Sequence, residues 1–139
     1  MSTRPCIFCG IVRGDVEASV VWEGEEAIAF LDHRPLFPGH VLLVPREHRE
    51  TLVDLPPGQV GPFFTQAQRI AAVVERLPGA QGTFVAINNR VSQSVPHLHL
   101  HEVPRRKGDG LKGFFWPRHP YRDDAEREAV AQVLRQALA

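Results

Sequence analysis

Cysteine is scarce in this chain: 139 residues include only Cys6 and Cys9. Two cysteines exclude the disulfide framework that staples many small secreted domains. Neither sign of charge is in excess, because 16 basic and 16 acidic side chains cancel. The overall field therefore offers no general attraction for duplex DNA or an anionic membrane. No apolar run approaches the roughly 18 residues of a bilayer span, and the opening MSTRPCIFCG lacks the apolar stretch of a secretory signal. Repeats and low-complexity tracts are also missing. Together these absences suggest a cytoplasmic protein acting on a small molecule, with neither membrane nor nucleic acid as partner.

What is present suffices for one domain spanning 1–139, since 43% of the residues are hydrophobic and one core is affordable at this length. Within it we expect a core over 1–106, an ordered arm over 107–122 and a C-terminal helix over 123–139. A short apolar-rich segment covers Ile7 to Val12. The runs Val20 to Glu23 and Glu26 to Asp32 read as strands of a hairpin parted by Gly24. Val41 to Val44 is apolar on both faces, as in a strand covered on each side, and Pro45 ends it. After Pro56-Pro57-Gly58, apolar residues recur at helical steps from Val60 through Phe63, Ala67, Ile70 and Val74 to Leu77, where Pro78-Gly79 stops them. Thr83 to Asn88 and His97 to Val103 read as two more strands. Asp123 and Glu126 are spaced as a helix cap ahead of the stripe Val130, Val133, Leu134 and Ala137. Mostly adjacent strands around one long helix predict an α+β domain with an antiparallel sheet.

The strand VPHLHLHEVPR carries His97, His99 and His101 at alternate positions. Side chains two apart on a strand share a face and lie about 6.6 Å apart, so the three imidazoles form one row while Leu98 and Leu100 enter the core. The bland alternative is a half-polar strand that arose by chance. Neutral imidazole is a competent nucleophile near pH 7, and its neighbours are able to hold its tautomer or donate a proton. A row spread over roughly 13 Å is too wide to place all three rings on one zinc ion, which favours nucleophilic chemistry.

HLHLH resembles the signature of the histidine triad (HIT) superfamily of nucleotide hydrolases and transferases. Further blocks from Cys6 to about Tyr121 resemble its bacterial Hint-like branch: CIFCGIVRGD, AFLD, PGHVLLVPREH, NN, QSV and PRRKGDG, in order. The resemblance implies a HIT fold with a five-stranded antiparallel sheet, a long central helix and a C-terminal helix. It also implies a hydrolase of adenosine (purine) nucleotide conjugates, such as phosphoramidates or dinucleoside polyphosphates, with no catalytic metal or organic cofactor. His99 would attack the α-phosphorus and form a nucleotidyl-histidine, His101 would bind phosphate and assist the leaving group, and His97 would order the strand. Asn88, Gln93 and Ser94 match phosphate-binding positions, and Asp32 matches the carboxylate that accepts the ribose hydroxyls. His40 matches a histidine near the site. Ile7, Phe8, Ile11, Phe30 and Leu42 match the base pocket, although by residue type alone each reads as ordinary core. The family also implies a homodimer built through the central helix and its adjoining strand.

Cys6-x-x-Cys9 alone fits two incidental thiols as well as half a zinc site, and His48 alone reads as a solvated loop histidine. The resemblance to zinc-containing bacterial relatives implies a structural Cys₂His₂ site of Cys6, Cys9, His48 and His97. Two departures stand out: Glu102 occupies a position usually hydrophobic in the signature, and Ser92 stands where glycine commonly precedes the glutamine. Leaving-group selectivity is assigned to the Leu111 to Tyr121 arm, with Phe115 and Trp116 as candidates. Two other functions are weighed against hydrolysis: a nucleotide-binding adaptor or sensor with negligible turnover, and a deadenylating repair protein, which neutral charge and a short basic run at Arg105-Arg106-Lys107 argue against.

Overall fold

The computed structural model describes residues 5–112 and 118–139. The chain divides into two units, Met1–Asp109 and Gly110–Ala139. The first is an α+β unit whose elements run α1 (Ile7–Arg13), β1 (Val20–Glu23), β2 (Ala27–Leu31), β3 (Val41–Pro45), α2 (Pro57–Val74), β4 (Gly82–Ile87) and β5 (Leu100–Arg105). The five strands form one antiparallel sheet in the order β1-β2-β3-β5-β4.

The apolar run Val41 to Val44 is buried throughout because β3 lies at the centre of the sheet. Val41 and Leu43 face a cluster with Phe63, Ala67, Ile70 and Val74 of α2, while Leu42 and Val44 face a second cluster with Phe8 of α1. Truncating a side chain as enclosed as Leu43 costs about 2–5 kcal/mol. At the β1–β2 turn, a Cβ on Gly24 would come within 2.3 Å of the Trp22 ring, so any larger residue there requires that ring to move.

Two elements differ from the sequence expectation. The Ile7 to Val12 segment is a helix, capped by the Cys6 sulfur, which accepts the Cys9 amide, and closed by Gly14 at φ 84°. The long helix starts at Pro57, where proline suits the first turn, and ends at Val74 instead of continuing to Leu77. Residues 75–77 instead make tighter turns, with Arg76 and Leu77 amides donating to the Val73 and Val74 carbonyls.

The second unit contains α3 (Asp124–Leu138). The Asp123 carboxylate accepts the Glu126 amide at 2.8 Å, as the cap spacing predicts, and Glu126 accepts the Arg122 amide in return. Its apolar residues Val130, Val133, Leu134 and Leu138 are exposed. No helix among the described residues is long and apolar enough to cross a membrane.

Candidate active site and metal cluster

The triad residues alternate as expected, but the strand itself begins only at Leu100. Residues 97–99 lead into it on a different partner: the Leu98 amide donates to the Arg49 carbonyl at 2.6 Å. Leu98 and Leu100 enter the α2-side cluster. His97 and His99 pack on the opposite side, edge-on to the Phe8 ring at centroid distances of 5.8 and 5.1 Å.

A cavity of about 630 Å³ opens on that side, lined by α1, β2, β3 and the segments flanking them. Its apolar lining includes Ile7, Phe8, Ile11, Val16, Ala18, Phe30 and Leu42, and its polar lining is Glu17, Ser19, Asp32, His33, Ser94, His99 and His101. The size and the mix of a large apolar wall with convergent polar groups suit a small-molecule ligand.

Hydrogen bonding fixes the imidazole tautomers. The Nδ1 atom of His99 lies 2.8 Å from the His97 carbonyl oxygen. A carbonyl only accepts, so Nδ1 carries the proton, and the neutral ring has its lone pair on Nε2. Behind His101 a second chain of bonds sets the complementary state. The Leu36 amide donates to His40 Nδ1 at 3.1 Å, so His40 is protonated on Nε2, which donates to His101 Nδ1 at 2.9 Å. His101 is left with a proton on Nε2, a donor on a residue that lines the cavity. Burial, reinforced by the nearby His99 and His40 rings, pushes the His101 pKa down to about 4, so this donor is neutral at pH 7. Burial also lowers His40, against the raising influence of Asp32, whose Oδ2 is 3.8 Å from His40 Nε2.

The two cysteines meet two histidines on the far side of Phe8. Cys6 Sγ lies 3.4 Å from His97 Nδ1, and Cys9 Sγ lies 3.3 Å from His48 Nδ1 and 3.6 Å from His97 Nδ1. The four ligand atoms all lie within 4.8 Å of one another. A zinc tetrahedron with ordinary Zn–S and Zn–N bonds has S···N edges of about 3.6 Å, so the residues fit this ion. His97 is oriented for it: its Nε2–H donates to the Pro45 carbonyl at 2.8 Å, which turns the Nδ1 lone pair toward the sulfurs. Asp32, His40 and His101 also cluster, but the Leu36 amide occupies the His40 lone pair and the inter-histidine hydrogen bond occupies that of His101.

The remaining sequence candidates fall in different places. Ser94 lines the cavity; Asn88 and Gln93 do not. The Gln93 amide instead braces its loop, donating to the Glu50 carbonyl at 2.6 Å and accepting the Arg90 amide at 2.8 Å. Ser92 has φ 62°, a conformation natural to glycine, which accounts for the residue it departs from. Glu102 is wholly buried on the α2 side, neither carboxylate oxygen having a hydrogen-bond partner among the described residues, and burial raises its pKa to about 8. Phe115 and Trp116 lie outside the described residues. Sequence reasoning missed Val16, Glu17, Ala18, Ser19, Leu31, His33 and Val95 in the cavity wall. No periodic signal marks them, and they were reachable only through their place in or beside CIFCGIVRGD, AFLD and QSV.

Comparison with known proteins agrees with this geometry. The family model described as "HIT domain" matches residues 13–108. An uncharacterized HIT-like protein of Mycobacterium tuberculosis is 39% identical, the alignment covering 97% of this chain and 94% of the relative. The asymmetrical bis(5′-nucleosyl)-tetraphosphatase of Schizosaccharomyces pombe is 33% identical over 68% of this chain and 53% of its own length. Among solved structures, a zinc-bound histidine triad family protein from Mycobacterium smegmatis superposes with a TM-score of 0.72 at 40% identity, covering 92% of this chain and 94% of that one. Family match, relatives and the antiparallel sheet into which HLHLH leads agree, and the chain belongs to the HIT family, whose members include nucleotide hydrolases.

Proposed function

We propose that this protein hydrolyses purine nucleotide conjugates at the α-phosphorus through a covalent nucleotidyl-histidine. The observation that carries the reading is the 2.8 Å bond from His99 Nδ1–H to the His97 carbonyl, which leaves an unprotonated Nε2 on a residue lining the cavity. The base would occupy the apolar wall of Ile7, Phe8, Ile11, Phe30 and Leu42, and the Asp32 carboxylate would accept the ribose hydroxyls. His99 Nε2 then bonds to phosphorus as the bond from phosphorus to the leaving group breaks. The leaving group departs with that electron pair and takes up a proton from solvent, to which the water that attacks in the next step returns one. His101 Nε2–H and Ser94 stabilise the charge gathering on the phosphoryl oxygens. Water next attacks phosphorus, the P–N bond breaks, and His99 recovers its lone pair with release of the nucleoside monophosphate.

Cys6, Cys9, His48 and His97 would hold zinc, which when bound pins α1 to the segment before β5 in a closed structural site. The edge position of β4, with Val85 exposed beside α2, supports a homodimer formed through these two elements. Free thiols in this arrangement suit a reducing, cytoplasmic setting.

A binding module with negligible turnover is the second reading, favoured by the bracing of Gln93, which leaves the phosphate fewer donors. Rapid-quench reaction with adenosine 5′-phosphoramidate, followed by peptide mass spectrometry of wild type and His99→Asn, separates the two. Hydrolysis predicts an AMP adduct on the His99 peptide of the wild type and none in the variant. An adduct elsewhere, or equal turnover in the variant, overturns the assignment; binding without AMP release establishes the module.

A further inference from the structure

Glu17 and Ser19 are polar residues in the cavity wall that the proposed chemistry does not use. They lie on the segment joining α1 to β1, and that segment is fixed at both ends. The Asp15 and Val16 amides both donate to the Gly10 carbonyl, at 2.9 and 3.2 Å, while the Ser19 carbonyl accepts the Leu31 amide at 2.9 Å. Val16 presses so closely on α1 that a Cβ at Gly10 would come within 2.6 Å of its Cγ2. Glu17 is therefore held on a framed wall, beside Val16 and the apolar slot and in the same cavity as Ile7 and Ile11. Among the described residues no lysine, arginine, asparagine or glutamine lines the cavity, and the polar residues that this segment contributes to it are Glu17 and Ser19.

We propose that Glu17 reads the base and selects guanine over adenine; this rests on the nucleotide reading above and specifies its substrate. An ionised carboxylate only accepts hydrogen bonds. Guanine presents two adjacent donors, N1–H and an N2–H, which match the two carboxylate oxygens. Adenine presents one donor, N6–H, next to the N1 lone pair, which faces the carboxylate repulsively. The Ser19 hydroxyl serves either base, donating to O6 or to N1, and does not discriminate. One charge-assisted bond gained and one lone-pair clash avoided, at a solvent-exposed rim, correspond to about a tenfold preference.

The test is calorimetric titration of GMP, IMP and AMP into the full-length protein and into Glu17→Gln, an exposed substitution that leaves the core untouched. The expected order is GMP, then IMP, which lacks N2, then AMP, with GMP about tenfold tighter than AMP. In Glu17→Gln the amide donates to adenine N1 and accepts from N6, so the preference collapses to within about twofold or inverts. Equal affinities in the wild type, or a guanine preference that survives in Glu17→Gln, overturn the inference and leave the nucleotide reading intact. Failure of all three nucleotides to bind overturns that reading and the inference with it.

Discussion

His40 Nε2 lies 2.9 Å from His101 Nδ1, and the His40 ring is itself fixed by the Leu36 amide. His40 does not line the cavity, so its influence on bound ligand passes through the residues it touches there, His101 at 2.9 Å and Asp32 at 3.8 Å. Replacing His40 by leucine should lower kcat by about 10–100-fold while nucleotide Kd moves less than about threefold. Nitrogen NMR should show His101 passing from one tautomer to a mixture. A rise in Kd that matches the fall in kcat would show instead that the cavity itself had deformed.

Glu102 supplies a pH dependence of stability. Its folded-state pKa, about 8, exceeds the ordinary 4.5, so the folded protein keeps a proton that the unfolded chain has already lost. The contribution is complete below about pH 4.5 and is lost as pH rises through about 8, with a slope of at most about 1.4 kcal/mol per pH unit. Thermal melts between pH 5 and 9 should therefore show Tm falling with pH. Glu102→Gln should flatten that slope, and Glu102→Leu should flatten it and add about 1–3 kcal/mol by removing two unsatisfied buried oxygens. An unchanged slope in both variants would locate the titration elsewhere.

Metal removal should be felt in the fold. The purified protein is expected to carry one zinc per chain by elemental analysis, and a strong chelator should lower Tm by more than about 5 °C. Cys9→Ser should reproduce both losses. Full zinc content in that variant would refute the ligand set.

The loop before the triad stores strain at Ser92, whose φ is 62°. Ser92→Gly should raise stability by about 1 kcal/mol, seen as a shift in the urea midpoint at constant m. A loss of stability would mean that the serine side chain, and not its backbone, matters there.

Much of this was legible in the residues because it follows from alternation. HLHLH announced which side chains share a side, and the doubly apolar VLLV announced a central strand. The helical character of α1 was hidden because seven apolar-rich residues carry no resolved period, and its cap is a cysteine where serine, threonine, aspartate or asparagine is the usual signal. The late start of β5 was hidden because the Leu98 amide pairs with a loop carbonyl at Arg49 instead of a strand. The groups that set the tautomers, the carbonyls of Pro45 and His97 and the amide of Leu36, are main-chain atoms that every residue possesses. Residue letters do not spell them, and only their placement gives them a role.

One such atom bears on how this architecture tolerates drift. The oxygen that orients His99 belongs to the peptide backbone at position 97, whereas the ring at that position turns toward the two thiols. Substitution there would erase the sulfur–nitrogen cage yet leave the oxygen in place. Descendants of such a chain would therefore be free to lose the four-residue cluster without surrendering the orientation of the His99 ring, and the two traits would be inherited separately.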